Sequence, residues 1–390
     1  MSIRVKRITT FILLVLTLLL SGCWDNRELH KLFIVTGIAL DAADNPEEIA
    51  IAVQIAKGKQ ESSGSGDSKE TEDSGVIVLE ATGETAMQGL AEFNRDSSRT
   101  LLLQHNQVLL LGSSMAEQGV KDRIDMFMRE QQARMEVLIL VVDGRAKEVL
   151  SAQMEQDRIS GMFLSNMIAD MAEVSPHYEV RMLDFASRIL DETTSPVAPL
   201  IRVLPKDDKQ QIVIDGMAVF KQDKMIGRMN NDETLGYIWG MGDVEQCGFT
   251  AGSSLGKAAF QTRKLDTKRT VTLRPDGGVQ VALNVEATLN IGELRGFEGM
   301  KPEELTPHLT QVATEEIRRK ITDTFVLAQE MNADIYGFGT SVYRKYPKEW
   351  KFMKARWDQI FPDIDLDVQI KVNIPATGQI IQSLEMEGST

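Results

Sequence analysis

Leu20-Ser21-Gly22-Cys23 puts a thiol directly behind a small-residue site, the lipobox pattern in which bacterial exports carry diacylglycerol on the cysteine sulfur and are cleaved just before it. What precedes it fits that chemistry. Arg4, Lys6 and Arg7 form a basic head, and Ile8 to Leu20 form an apolar run broken only by Thr9, Thr10 and Thr17. Such a run is too short to span a bilayer comfortably, so it reads as a signal peptide. Acylation of Cys23 on sulfur, with N-acylation also open, would supply two chains, enough to hold a protein on a membrane without spanning it. An ordinary signal peptide with an incidental cysteine is the alternative.

Other residues suggest chemistry and are weaker. Gly252-Ser253-Ser254-Leu255-Gly256 matches G-x-S-x-G, which in a hydrolase exposes the central serine on a strained strand-to-helix turn. Ser254 would need a later histidine, and only His308 follows it. Asp243 to Gly248 is too polar to be the preceding buried strand, and a Gly/Ser loop between hairpins explains the same residues. The remaining histidines, His30, His105 and His177, show no zinc spacing and read as surface or structural side chains. Asp363, Asp365 and Asp367 alternate with Ile364, Leu366 and Val368, as the wet face of a half-buried strand would. A calcium loop would need a central glycine and a distant glutamate, and phosphate-binding glycine motifs are absent. Trp350 and Trp357 lie two helical turns apart on one face, which favours core packing; a partner surface shared with Trp24 is the other reading. No active site, metal site or cofactor site is expected.

The elements that would carry these residues follow from pattern. Phe33 to Asp41 and Ile49 to Ala56 read as paired strands, Gly58 to Gly75 as a mobile polar loop, and Gly75 to Glu80 as a third strand. Residues 83–96 form a helix on Ala86, Leu90 and Phe93. Leu101 to Leu111 is a strand with a polar centre, Met115 to Arg134 a helix, and Glu136 to Val142 a strand. Helices are expected near 146–156, 160–172 and 178–191, and then an extended crossing with Pro196, Pro199 and Pro205. Two hairpins follow, Gln211–Phe220 with Lys224–Met229, and Thr270–Arg274 with Val279–Ile291 around Pro275-Asp276-Gly277-Gly278. A short helix or turn, Asp232 to Gly240, lies between them. Thr306-Pro307 should start a long helix, Asp334 to Gly339 an aromatic turn, Pro347 to Phe361 a further helix and Ile364 to Ile374 the last strand.

This is an α+β chain of mixed sheets, hairpin-connected strands and packed helices, in several domains. Its divisions would be a leader at 1–22, an N-terminal domain at 23–200, a hairpin-rich middle domain at 201–300, a helix-plus-strand domain at 301–380 (able to form one unit with parts of 211–300) and a tail at 381–390.

The 390 residues carry a net charge of −14, and the leader holds three of the positive charges, so the body from Cys23 onward carries −17. Such a body is repelled by anionic lipid and nucleic acid, so an anchor must do what the surface will not. Once Cys23 is acylated, Cys247 has no partner for a disulfide and is expected to be a small buried residue.

Motifs at opposite ends resemble one family. Gly22-Cys23-Trp24-Asp25-Asn26-Arg27-Glu28-Leu29 with Ile34-Val35-Thr36-Gly37-Ile38-Ala39-Leu40-Asp41 is similar to the start of the Ger(x)C spore germination lipoproteins. Gly216 to Lys221 is similar to their mid-chain hairpin. Ala333-Asp334-Ile335-Tyr336-Gly337-Phe338-Gly339, Tyr346-Pro347-Lys348-Glu349-Trp350 and Trp357 to Asp363 are similar to their C-terminal motif.

The resemblance implies three α/β-type domains and no enzymatic activity. It also implies a lipid-anchored C subunit of a nutrient germinant receptor, beside membrane A and B subunits on the outer face of the spore inner membrane, or on the cell membrane before sporulation is complete. There it would support receptor assembly or signalling. The alternatives are a solute-binding lipoprotein of a transporter and an exported serine hydrolase using Ser254.

Overall fold

A computed structural model describes residues 31–57, 75–95, 97, 99–130, 135–152, 159–206, 209–297 and 300–375. Cys23, Trp24, His30, most of the 58–75 loop and the 381–390 tail lie outside the described residues.

The chain opens with β1 (Leu32–Ala42), β2 (Ile49–Ala56), β3 (Val76–Gly83), α1 (Ala86–Arg95), β4 (Thr100–Leu102) and β5 (Val108–Gly112). Next come α2 (Ser113–Gln118), α3 (Lys121–Arg129), β6 (Leu138–Val142), α4 (Ala146–Ser151), α5 (Ser160–Val174), α6 (Met182–Leu190), β7 (Val197–Lys206), β8 (Lys209–Lys221) and β9 (Lys224–Met229). Together these strands make one mixed sheet in the order β3-β2-β1-β5-β6-β7-β8-β9, with β4 beside β1. Its centre, β1-β5-β6-β7, is parallel, and antiparallel hairpins extend both sides.

The central strands are apolar throughout because helices cover both faces. Along β5, Leu109 and Leu111 point into one core with Ile139, Val141, Phe185 and Phe220. Val108 and Leu110 point the other way, into a second core with Leu140, Val149, Leu164 and Ile168 from β6, α4 and α5. That is the two-residue strand period read out in burial.

The rest of the chain contains α7 (Asn231–Met241), β10 (Gly248–Ser253), β11 (Gly256–Leu273), β12 (Val279–Gly296) and α8 (Pro302–Glu330). It ends in α9 (Phe338–Lys345), α10 (Pro347–Met353), α11 (Trp357–Ile360) and β13 (Asp365–Asn373). A second sheet runs β10-β11-β12-β13, with β13 parallel to β12. Leu305, Leu309, Ala313, Ile317, Ile321 and Phe325 form the buried stripe of α8 as their spacing requires. A capping box starts α7, where Asn230 and Glu233 exchange side-chain to backbone hydrogen bonds.

Several elements differ from expectation for local reasons. The 101–111 strand is broken by a 3-10 turn at Leu103–His105, which seats the polar centre in a turn. The helix expected from Met115 splits at Gly119, whose φ of +126° no helix accommodates. The long helix begins at Pro302, which takes the first helical position, so Pro307 lies inside it and Thr306 is no cap. The helix expected at Pro347–Phe361 is α10, a 3-10 turn at Lys354–Arg356, α11 and a second 3-10 turn at Phe361–Asp363. Thr193–Pro205 is largely β7, a strand inside the first sheet, and the 211–229 hairpin extends that same sheet.

Candidate functional site: the joint between the two sheets

A buried polar network lies where the α6–β7 connection meets the turn before α9. Asp334 is 2% exposed. Its carboxylate accepts from the backbone N–H of Phe338 at 2.9 Å and of Gly339 at 2.8 Å, satisfying donors that a helix start would leave orphaned. Gly337, with φ of +69°, makes the left-handed turn that brings those N–H groups round. The backbone carbonyl of Asp334 accepts from Ser195 N at 2.9 Å, so the residue that ties the turn also bonds across the joint.

Asp191 answers from the other side. Its carboxylate accepts from Thr193 N and Thr194 N, both at 2.8 Å, from the Thr193 hydroxyl at 2.9 Å and from the Thr340 hydroxyl at 3.0 Å. The close approach explains Gly339: a Cβ there would meet Thr193 at 2.7 Å and Trp357 at 2.9 Å. Arg269 donates to the Tyr336 carbonyl at 2.9 Å, and Arg188 makes longer bonds to the Ser195 and Ile335 carbonyls.

An aromatic wall shields the network. Tyr336 and Phe338 stack with centroids 5.3 Å apart, and Phe325 of α8 meets Phe338 edge-on at 6.1 Å. Trp350 and Trp357 pack edge to face at 5.3 Å and are 8% and 4% exposed. Their indoles therefore lie in the core, leaving little ring surface for a partner.

This environment moves protonation equilibria. Burial pushes Asp334 up to about 6, against the pull of the Gly339 and Phe338 N–H groups. Burial also pushes Asp191 up, but the Thr194, Thr193 and Thr340 donors outweigh it and hold the carboxyl below its usual range. Neither group is placed to transfer a proton to a substrate. Both are tied off within the protein, and the arrangement's chemistry is to fix one half against the other.

The other candidates separate. Ser254 is exposed at the tip of the β10–β11 hairpin, a strand–turn–strand, so the elbow that G-x-S-x-G would need is not formed. Its neighbour Ser253 meets His308 Nε2 at 3.0 Å while accepting from Leu255 N, so the serine closes the turn onto α8. Among the described residues no carboxylate bonds His308, and no third member of a triad is present.

His105 is exposed on the first sheet and His177 half-buried near α7, far apart in the fold. Among the described residues no group of three or more His, Cys, Asp or Glu could hold a metal. Asp365 and Asp367 lie exposed along β13, paired with Arg274 and with Gln369 respectively, while Asp363 precedes the strand. Cys247 is 5% exposed, with its thiol pushed up to about 11 by burial. Among the described residues no helix is long and apolar enough to cross a membrane.

The family-like motif contains Asp334, whereas nothing in the sequence reading points to Asp191, Thr340, Arg188 or Arg269. The available signal was Asp191 followed by Thr193 and Thr194, a pattern that favours side-chain to backbone turns.

Comparison with known proteins decides the identity of this architecture. Residues 25–203 match the spore germination protein N-terminal domain, and residues 215–378 match the spore germination B3/GerAC-like C-terminal region. The chain belongs to the Ger(x)C spore germination family. Spore germination protein KC of Bacillus subtilis (strain 168) is 24% identical over 400 residues, covering 96% of each chain. Spore germination protein A3 of the same organism is 24% identical over 375 residues, covering 94% of this chain and 96% of its own. The crystal structure of the GerBC protein superposes with a TM-score of 0.56 at 15% identity, covering 87% of this chain and 96% of that one. At that identity the superposition speaks for the fold, which this Ger(x)C chain shares across both sheets.

Proposed function

We propose that this chain is a non-catalytic, lipid-anchored C subunit of a spore nutrient germinant receptor. One observation carries the reading: the family match begins at residue 25, directly behind the acyl-acceptor candidate Cys23, and runs nearly to the end of the chain. In this proposal the leader is removed, Cys23 takes diacylglycerol, and two acyl chains hold the protein at the outer face of the spore inner membrane. A single chain would bind only marginally. The acidic body gains little from an anionic lipid surface, so acylation carries the attachment.

The partners in this reading are the A and B membrane subunits, and the role is support of receptor assembly or signalling. The hairpin position of Ser254 and the two-member Ser253–His308 contact support a role without catalysis.

Spores carrying Cys23→Ala test the proposal. The protein is expected to leave the inner-membrane fraction, and nutrient-triggered germination to slow while germination by a receptor-independent stimulus is unchanged. A variant that stays membrane-bound, or one that is fully soluble with normal nutrient germination, would contradict it.

A further inference from the structure

Away from the anchor, a cleft of about 320 Å³ opens beside α6, β7 and α7, lined by His177, Glu179, Asp184, Arg188, Val197 and Tyr237 among others. Its volume sits at the lower end for small-molecule sites, and Val197 with the buried Tyr237 ring gives it an apolar wall.

The charges around it are unevenly matched. Glu179 is held by Arg181 at 2.7 Å, Arg181 also approaches Glu136 at 3.8 Å, and Asp184 lies within its field. Arg188 has no such partner. Only its Nη1 is engaged, at 3.5 Å and 3.4 Å with the Ser195 and Ile335 carbonyls, and among the described residues no carboxylate bonds it. Behind it Arg269 also bonds only neutral acceptors, Tyr336 O and Met241 Sδ. In a chain of net charge −14, Arg188 thus stands at the cleft without an ion-pair partner among the described residues.

We propose that this cleft binds a small organic carboxylate, gripped by the guanidinium of Arg188. The fork of a guanidinium matches the two oxygens of a carboxylate, and the Nε and Nη2 donors of Arg188 are left for them. The apolar wall takes the organic body. His177 stands beside the grip as an uncharged imidazole, because burial and then the charges of Arg188 and Arg269 push it down to about 4, against Gly242 and Asp243. It stands at the cleft without adding charge to it. Of the acidic rim residues, Glu179 is occupied with Arg181, and among the described residues neither Glu179 nor Asp184 forms an ion pair with Arg188.

Thermal unfolding of the full-length chain in mild detergent tests this at constant ionic strength. The probes are acetate, succinate and benzoate, with inorganic phosphate as a second arm and choline chloride as a cation arm. The expected result is a saturable rise in Tm with at least one carboxylate. Arg188→Gln should weaken the apparent affinity by at least about tenfold. Ser187→Trp, which fills the cleft from an exposed position on α6, should abolish the response even if Arg188→Gln proves poorly folded. Lys371→Gln, an exposed charge control on the edge strand β13 of the second sheet, should leave it unchanged. No saturable rise, an equal rise in both cleft variants, or a response confined to phosphate or choline would overturn the assignment.

Discussion

The two sheets hold together in different ways. The first buries strands of Val, Leu and Ile between helices on both faces, and the hydrogen bonds of its buried Thr36, Asp41 and Gln54, on β1 and β2, tie those strands to α4 and α5. The second rests on one long helix and on a knot of rings, Phe325, Tyr336, Phe338, Trp357 and Phe361, wrapped around a buried carboxylate. Aliphatic packing tolerates a lost methylene by local relaxation. The ring knot is tied to hydrogen bonds that fix the position of the 191–195 connection, so damage there should reach across the joint.

The largest expected effect separates these two modes. Phe338→Ala should cost about 3–5 kcal/mol, and Leu140→Ala, in the first sheet, about 2–5 kcal/mol. The informative difference lies beyond the size. Phe338→Ala should also expose amides of residues 191–195 to hydrogen exchange, whereas Leu140→Ala should leave them as protected as the remainder of the second half. Equal exposure in both variants would break the comparison.

Protonation sharpens it next. Asp334 is an acid raised to about 6, so between about pH 4 and 6 the folded chain keeps a proton that the unfolded chain loses, and its contribution to stability falls as pH rises. His177 is a base lowered to about 4, so between about pH 6.5 and 4 the unfolded chain takes up the proton first, and its contribution falls as pH drops. At 1.36 kcal/mol per pKa unit, each is worth on the order of 3 kcal/mol across its interval, with opposite sign. Denaturant midpoints measured from pH 4 to 7 should show a steeper acid loss in Asp334→Asn and a shallower one in His177→Gln. Parallel profiles for both variants and the parent would refute the assignment.

The smallest effect concerns the other carboxylate. Thr340→Val removes one of the hydroxyl donors to Asp191 and should cost about 1 kcal/mol in chemical denaturation, with the fold retained. A neutral result would show that the remaining three donors suffice.

Sequence pattern revealed the first sheet best, because apolar runs such as Val108 to Leu111 and Leu138 to Val142 are dictated by burial on both faces. The stripe of α8 was equally plain at four-residue spacing. Breaks were harder to foresee: Gly119, Pro302 and the 3-10 turn at Leu103 depend on where the chain must reverse, which tertiary packing decides. The joint was half legible. Asp334 stands inside an aromatic motif with its carboxylate's own partners, but Ser195, which it bonds across the joint, lies more than a hundred residues away, and no local period links them. The cleft was invisible for the same reason, since Arg188 is conspicuous only once no carboxylate is found beside it.

The central claim, attachment through the cysteine at the end of the leader, is tested most directly by intact-mass and peptide mass spectrometry of the protein from spore membranes. The account predicts a mature chain that begins at Cys23 and carries diacylglycerol on its sulfur. A chain retaining residues 1–22, or one whose Cys23 is an unmodified thiol, would contradict it.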